Sequence, residues 1–160
     1  MKQVLDPVER VSEIIFGVLM AMTFIGALSV AESGRQDVRT AMIAALGCNL
    51  AWGLTDAVMY MVATLTERTR EGTRLVFDDY WGALGVFLLV ALSTFPLVVP
   101  FLVFSELKPA LLASRLVALA MLFAGGWTLG RHAGGKPWRW GLGLASVGAV
   151  LLGAIMALGG

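Results

Sequence analysis

The chain has 160 residues, of which 58% are hydrophobic and 14% charged, with a formal charge of +1 and a mean hydropathy of +0.82. Soluble domains carry about 25% charged residues and about half apolar ones, so this composition excludes an ordinary water-soluble domain. The near-zero charge removes any case for nucleic-acid binding, which needs a basic excess. One cysteine, Cys48, and one histidine, His132, leave no internal disulfide, no CxxC metal site and no histidine-based catalytic centre.

In chain order, the leader MKQVLDPVERVSE mixes Lys2 and Arg10 with Asp6, Glu9 and Glu13. A cleaved signal wants a basic leader and an apolar core of about 7–15 residues. Ser29-Val30-Ala31 resembles a cleavage site, but the apolar run Ile14–Ala31 is longer, so it reads as a retained membrane helix with an amphipathic start near Asp6. Four more runs reach the roughly 20 residues that a span needs: Ala41–Leu65, Gly82–Phe104, Ala110–Gly130 and Gly141–Leu158. In lipid the backbone must satisfy its own hydrogen bonds, so all five are expected to be helices. The expected fold is one all-α membrane domain over residues 1–160 with five transmembrane helices. The connectors 32–40, 66–81, 105–109 and 131–140 hold nearly all the charge. The 66–81 stretch interleaves acids with three arginines and reads as a solvated connector.

Short-loop Lys and Arg set orientation. The N-terminus, 66–81 and 131–140 hold eight of them, and the opposite side holds Arg35, Arg39 and Lys108. This predicts a cytoplasmic N-terminus and an outside C-terminus, in a bacterial cytoplasmic (inner) membrane. Trp81, Trp138 and Trp140 fall at the cytoplasmic interface, where aromatic belts belong.

Asp56 stands well inside the second span, roughly 12 Å from its inner end at 1.5 Å per residue. A buried acid at this depth costs about 2.5–3.5 kcal/mol. A partner, a cation, water or a proton must offset that cost. Asn49 lies two turns away on nearly the same face, with Met59 a turn further in and Tyr60 at i+4. The set reads either as an ion or proton site or as a clasp that fixes helix packing. Glu9, Glu13 and Met20 share one face of the first helix, because steps of four and seven residues keep a face. Carboxylates suit Fe²⁺ and Mn²⁺, and a thioether adds a softer ligand. The alternative is that the acids only cap the helix and favour its dipole. Pro96 and Pro100 break the third span, each removing a backbone hydrogen bond. Arg115, at similar depth on the fourth, is placed to donate to the carbonyls freed at Leu92 and Pro96. Pro96, Pro100 and Arg115 therefore read as a kink clasp or a hinge. In the fifth span Gly141, Ala145, Ala149, Gly153 and Ala157 form a small-xxx-small stripe for close packing, within the protomer or against a second copy. Arg131, His132, Lys136 and Arg139 either touch anionic headgroups or only set topology.

The layout resembles the vacuolar iron transporter family. The resemblance is clearest in "DDYWGALGVFLLVALSTFPLVVPFLVF", "RLVALAMLFAGGWTLGR" and "KPWRWGLGLASVGAVLLGAI", which look like that family's third to fifth helices. The Asp-Gly pair near the start of the family's first span is here Ser12-Glu13-Ile14, the second span carries TDAVMY in place of its usual pattern, and the glutamate-rich cytoplasmic domain of plant-type members is absent. The resemblance implies a homodimer with a proton-coupled Fe²⁺ or Mn²⁺ path between first helices. Glu9, Glu13 and Met20 would face that path, with Asn49, Asp56 and Met59 beside it. The metal would be the transported ion, and no permanently bound cofactor is expected. The expected function is export of metal from the cytoplasm. The rivals are a non-transporting membrane subunit, whose polar groups only fix packing, and an ion channel. No Ser/His/Asp set, paired histidines or glycine-rich phosphate loop supports an enzyme.

Overall fold

The computed structural model describes residues 5–31 and 38–158. Lys2 and Arg35, two of the charges used for orientation, lie outside the described residues. The elements are α1 (Pro7–Ala31), α2 (Val38–Arg70), α3 (Phe77–Ser93), α4 (Phe95–Val103), α5 (Leu107–His132) and α6 (Pro137–Leu158). The described residues contain five spans long and apolar enough to cross a membrane, α3 and α4 together forming the third. The all-α membrane architecture expected from the apolar runs is what the chain adopts.

Helix starts and ends follow local chemistry. Pro7 opens α1, where its missing N–H is harmless. The Asp6 N–H donates to Glu9 Oε2 at 2.8 Å and the Val8 N–H to Asp6 Oδ1 at 3.4 Å, so that Asp6 caps the N2 amide while Glu9 reaches back to the Asp6 amide. Helix α2 has 33 residues, roughly 50 Å at 1.5 Å each, which exceeds the apolar thickness of about 30 Å. Its last turns therefore project beyond the apolar layer. This corrects the expected 66–81 connector, most of which is helix: α2 runs to Arg70 and α3 starts at Phe77. The turn between them closes on Gly72 at φ +70°. There the Thr73 N–H reaches Arg68 O at 2.8 Å and the Gly72 N–H reaches Thr69 O at 3.2 Å, the Schellman closure that favours glycine. Asp79 then ties the two helices together. It accepts from the Val76 N–H at 2.8 Å and pairs with Arg68 at 2.8 Å.

The third span is divided at Thr94, two residues before Pro96, as its missing N–H requires. Pro100 sits inside α4.

Helix α1 is central and touches every other helix. Its Val18, Met22 and Ile25 pack with Leu97 and Phe101 of α4 and with Ala118 and Leu122 of α5. Glycines permit the close approaches. A Cβ on Gly126 would meet the Trp140 backbone, and one on Gly141 would lie 2.9 Å from Phe123 O. Lipid supplies no hydrophobic drive between helices, so such close packing holds them together. The small-residue stripe of the last helix is used only at its start. Gly141 and Gly148 are buried, whereas Ala149, Gly153 and Ala157 are exposed. The face of α6 turned to the bundle runs instead through Leu144, Gly148, Leu152 and Ile155. The exposed sides of α2, α4 and α6 are apolar, with Leu54, Leu102 and Val150 all more than half exposed, as helices in contact with lipid require.

Candidate functional site

Helices α1, α2 and α3 meet around three polar groups and several glycines. On α1 the sequence Glu13-x-x-x-Gly17 puts a carboxyl and a gap on one face. Gly17 lies against the Val90 carbonyl and the Ser93 hydroxyl, so that any side chain there would collide with the end of α3. On α2, Asn49, Gly53, Asp56 and Tyr60 follow the same facing rule. Gly53 sits 3.3 Å, by its missing Cβ, from Phe87 O, and the Tyr60 hydroxyl packs over Gly82. The glycines draw the helices together and bring the polar groups within reach of one another.

The central feature is a carboxyl pair. Glu13 and Asp56, on different helices, are within side-chain hydrogen-bonding reach. Both are half-buried. Asp56 Oδ2 is buried, and no protein N–H or O–H donates to it. Carboxylates are acceptors only, so two of them can hydrogen-bond only if one holds a proton. With both ionised, the repulsion calls for a cation between them. Glu13 stands six residues beyond the start of α1, roughly 9 Å along the helix at 1.5 Å per residue. It therefore lies within the first helix rather than at its start, where it can face Asp56.

The remaining expected site residues divide. Glu9 is exposed and accepts the Asp6 N–H, so it caps α1. Met20 is half-buried two turns beyond Glu13. Met59 is 58% exposed and sits at the outer edge of the α2 face. Asn49 is 2% exposed and donates through Nδ2 to Val90 O at 2.8 Å, while its Oδ1 is buried without a partner. Val90 O is one of the last four carbonyls of α3, which a helix leaves unsatisfied. The Ser93 hydroxyl also donates to it, at 2.7 Å. Asn49 thus closes the helix end that Pro96 creates.

At the break itself, Ser114, fully buried, donates to Leu97 O at 2.7 Å, and Thr94 Oγ1 is buried without a partner. Arg115, its neighbour, is half-buried. Sequence reasoning missed Ser114, Ser93 and Gly17. The signal for the two serines was weak, since the carbonyls they serve, Val90 and Leu97, are not those that the prolines free at Leu92 and Pro96. Gly17 had no such signal, because a glycine in an apolar run looks the same whether it packs or not.

Among the described residues, no three of His, Cys, Asp and Glu come together as a metal cage. The pair could still hold a proton, or share one cation whose other ligands are water; Met20, roughly 10 Å along α1 from Glu13 at 1.5 Å per residue, does not join them. No protein-family profile, curated protein or solved structure matches this chain.

Proposed function

We propose that this protein is a proton-coupled transporter that moves a divalent metal, Fe²⁺ or Mn²⁺, out of the cytoplasm, with Glu13 and Asp56 as the site that protons and metal occupy in turn. The observation that carries the reading is the meeting of two carboxyl groups at membrane depth, one of them with a buried oxygen that no protein donor serves. A lone packing clasp would supply a donor, and acids at this depth otherwise mark ion pathways. The chemistry balances. A divalent ion binding to the doubly protonated pair releases two protons, and two protons arriving from the other side release the ion, so the pair stays neutral in both loaded states. Carboxylate oxygens suit Fe²⁺ and Mn²⁺, and Met20, two turns along the same α1 face, offers a thioether further along the path. The N-terminus is cytoplasmic, the host membrane is the bacterial inner membrane, and a second copy packs against the exposed apolar faces as a homodimer.

Transport into proteoliposomes tests this. With Mn²⁺ outside and a pH gradient imposed, wild-type protein takes up metal while protons leave. The Glu13→Gln, Asp56→Asn double variant loses both fluxes. Unchanged uptake in that variant sinks the assignment.

A second reading, a membrane subunit that does not transport, is favoured by one observation: Asn49 is committed to Val90 O. It predicts that Asp56→Asn folds and assembles normally and that neither protein carries flux.

A further inference from the structure

Between α5 and α6 lies a cavity of about 400 Å³, lined by Leu129, Arg139, Trp140, Gly143, Leu144 and Val147 among others. That is within the size range of ligand clefts, roughly 300–1,000 Å³. Its wall is apolar except at one end, where Arg139 stands. Gly143 makes the depth: nothing lies within 4 Å of where its Cβ would be.

The charged end is unbalanced. After Glu106 the chain has no acid, whereas Arg131, Lys136 and Arg139 crowd the α5–α6 turn. Arg139 has no carboxylate partner among the described residues, and its guanidinium lies 5.6 Å from the Trp138 ring centroid. A cation held on an aromatic face keeps its donors free for a ligand. Trp138 and Trp140 are both about half exposed at the same level.

A groove with an alkyl-lined body and a guanidinium at its mouth fits a molecule with a negative head and a hydrocarbon tail. We infer that the α5–α6 groove binds one anionic phospholipid, its phosphate on Arg139 and an acyl chain along Gly143, Leu144 and Val147. A zwitterionic lipid is disfavoured because its ammonium would face Arg131 and Lys136. A free phosphate lacks the tail that fills the groove. The site is separate from the carboxyl pair and does not depend on the transport reading.

Native mass spectrometry of the whole protein released from mixed phosphatidylglycerol and phosphatidylcholine membranes tests it. Wild type retains one phosphatidylglycerol in preference to phosphatidylcholine by about tenfold, the scale of one or two basic contacts to an anionic headgroup. Arg139→Gln brings the two lipids to near parity. Gly143→Leu fills open space without a clash, so the protein folds and loses retained lipid of both kinds. If Arg139→Gln fails to fold, Gly143→Leu decides alone. Equal retention of the two lipids by wild type overturns the proposal, as does full retention in Gly143→Leu. So does displacement of the lipid by millimolar inorganic phosphate, which would identify a simple anion site.

Discussion

The α5–α6 hairpin and the α1–α2–α3 junction solve one problem in opposite ways. Both must hold helices together in a solvent as apolar as their own side chains. The hairpin does it with shape: Gly126, Gly130 and Gly141 let Trp140, Pro137 and Phe123 come to backbone contact. The junction adds polar groups, with Asn49 on the Val90 carbonyl and Glu13 against Asp56. Among the buried polar atoms without a hydrogen-bond partner are Asn49 Oδ1, Asp56 Oδ2 and Thr94 Oγ1, on α2 and at the α3–α4 break. Unsatisfied buried polar atoms are expensive, and they persist where something other than packing uses them. On the proposed reading the hairpin serves as the scaffold and the junction as the working part.

Five variants would break or sharpen that contrast. The largest effect is expected from Glu13→Gln with Asp56→Asn. Metal flux should fall at least about a hundredfold, the scale reached when a required charged group is lost, while thermal stability in detergent holds or rises because a repulsive pair has gone. Flux within twofold of wild type would erase the difference between the two regions.

Next comes Gly126→Val. Its new Cβ meets the Trp140 backbone, which cannot yield as a side chain can. Overpacking of this kind costs about 1–3 kcal/mol, to be read from reversible unfolding in mixed micelles. A neutral result would mean that α5 and α6 are held by something other than close approach.

Asn49→Leu should follow, at about 1–2 kcal/mol, because Val90 O keeps only the Ser93 hydroxyl and a buried donor is lost. The same unfolding assay checks it. Asn49→Asp should cost more than Asn49→Leu, since it removes the donor and adds charge beside a carbonyl. The reverse order would remove Asn49 from its place at the helix end.

The smallest effect is expected from Glu9→Ala, which deletes half of the cap on α1. About 0.5–1 kcal/mol is lost, with fraying of the first turn visible in amide exchange. A large loss of flux with no change in fraying would return Glu9 to the ion path.

The spans were readable because their signal is local. Runs such as Gly82–Phe104 are long and apolar, and lipid leaves them no alternative to the helix. Pro96 announced the break at Thr94, since a proline removes its hydrogen bond wherever it stands. The ends of α2 were less legible. Thr66–Arg70 is polar enough to pass for a connector, but helix α2 continues there because water at the membrane surface tolerates a polar helix and Arg68 finds Asp79. Glu9 and Glu13 share a face in the sequence, yet one caps the helix and the other enters the bundle. Only the starting point of α1 at Pro7 separates them.

The amino-acid order by itself determined that this chain is a set of apolar helices, because hydrocarbon offers the backbone no hydrogen-bond partners and each segment must close its own. Tertiary structure alone decided which polar groups meet. Glu13 reaches Asp56, Asn49 reaches Val90 and Ser114 reaches Leu97 through interhelical distances set by Gly17, Gly53 and the Thr94 break, and a distance between segments is a property of the packed bundle that no single segment encodes.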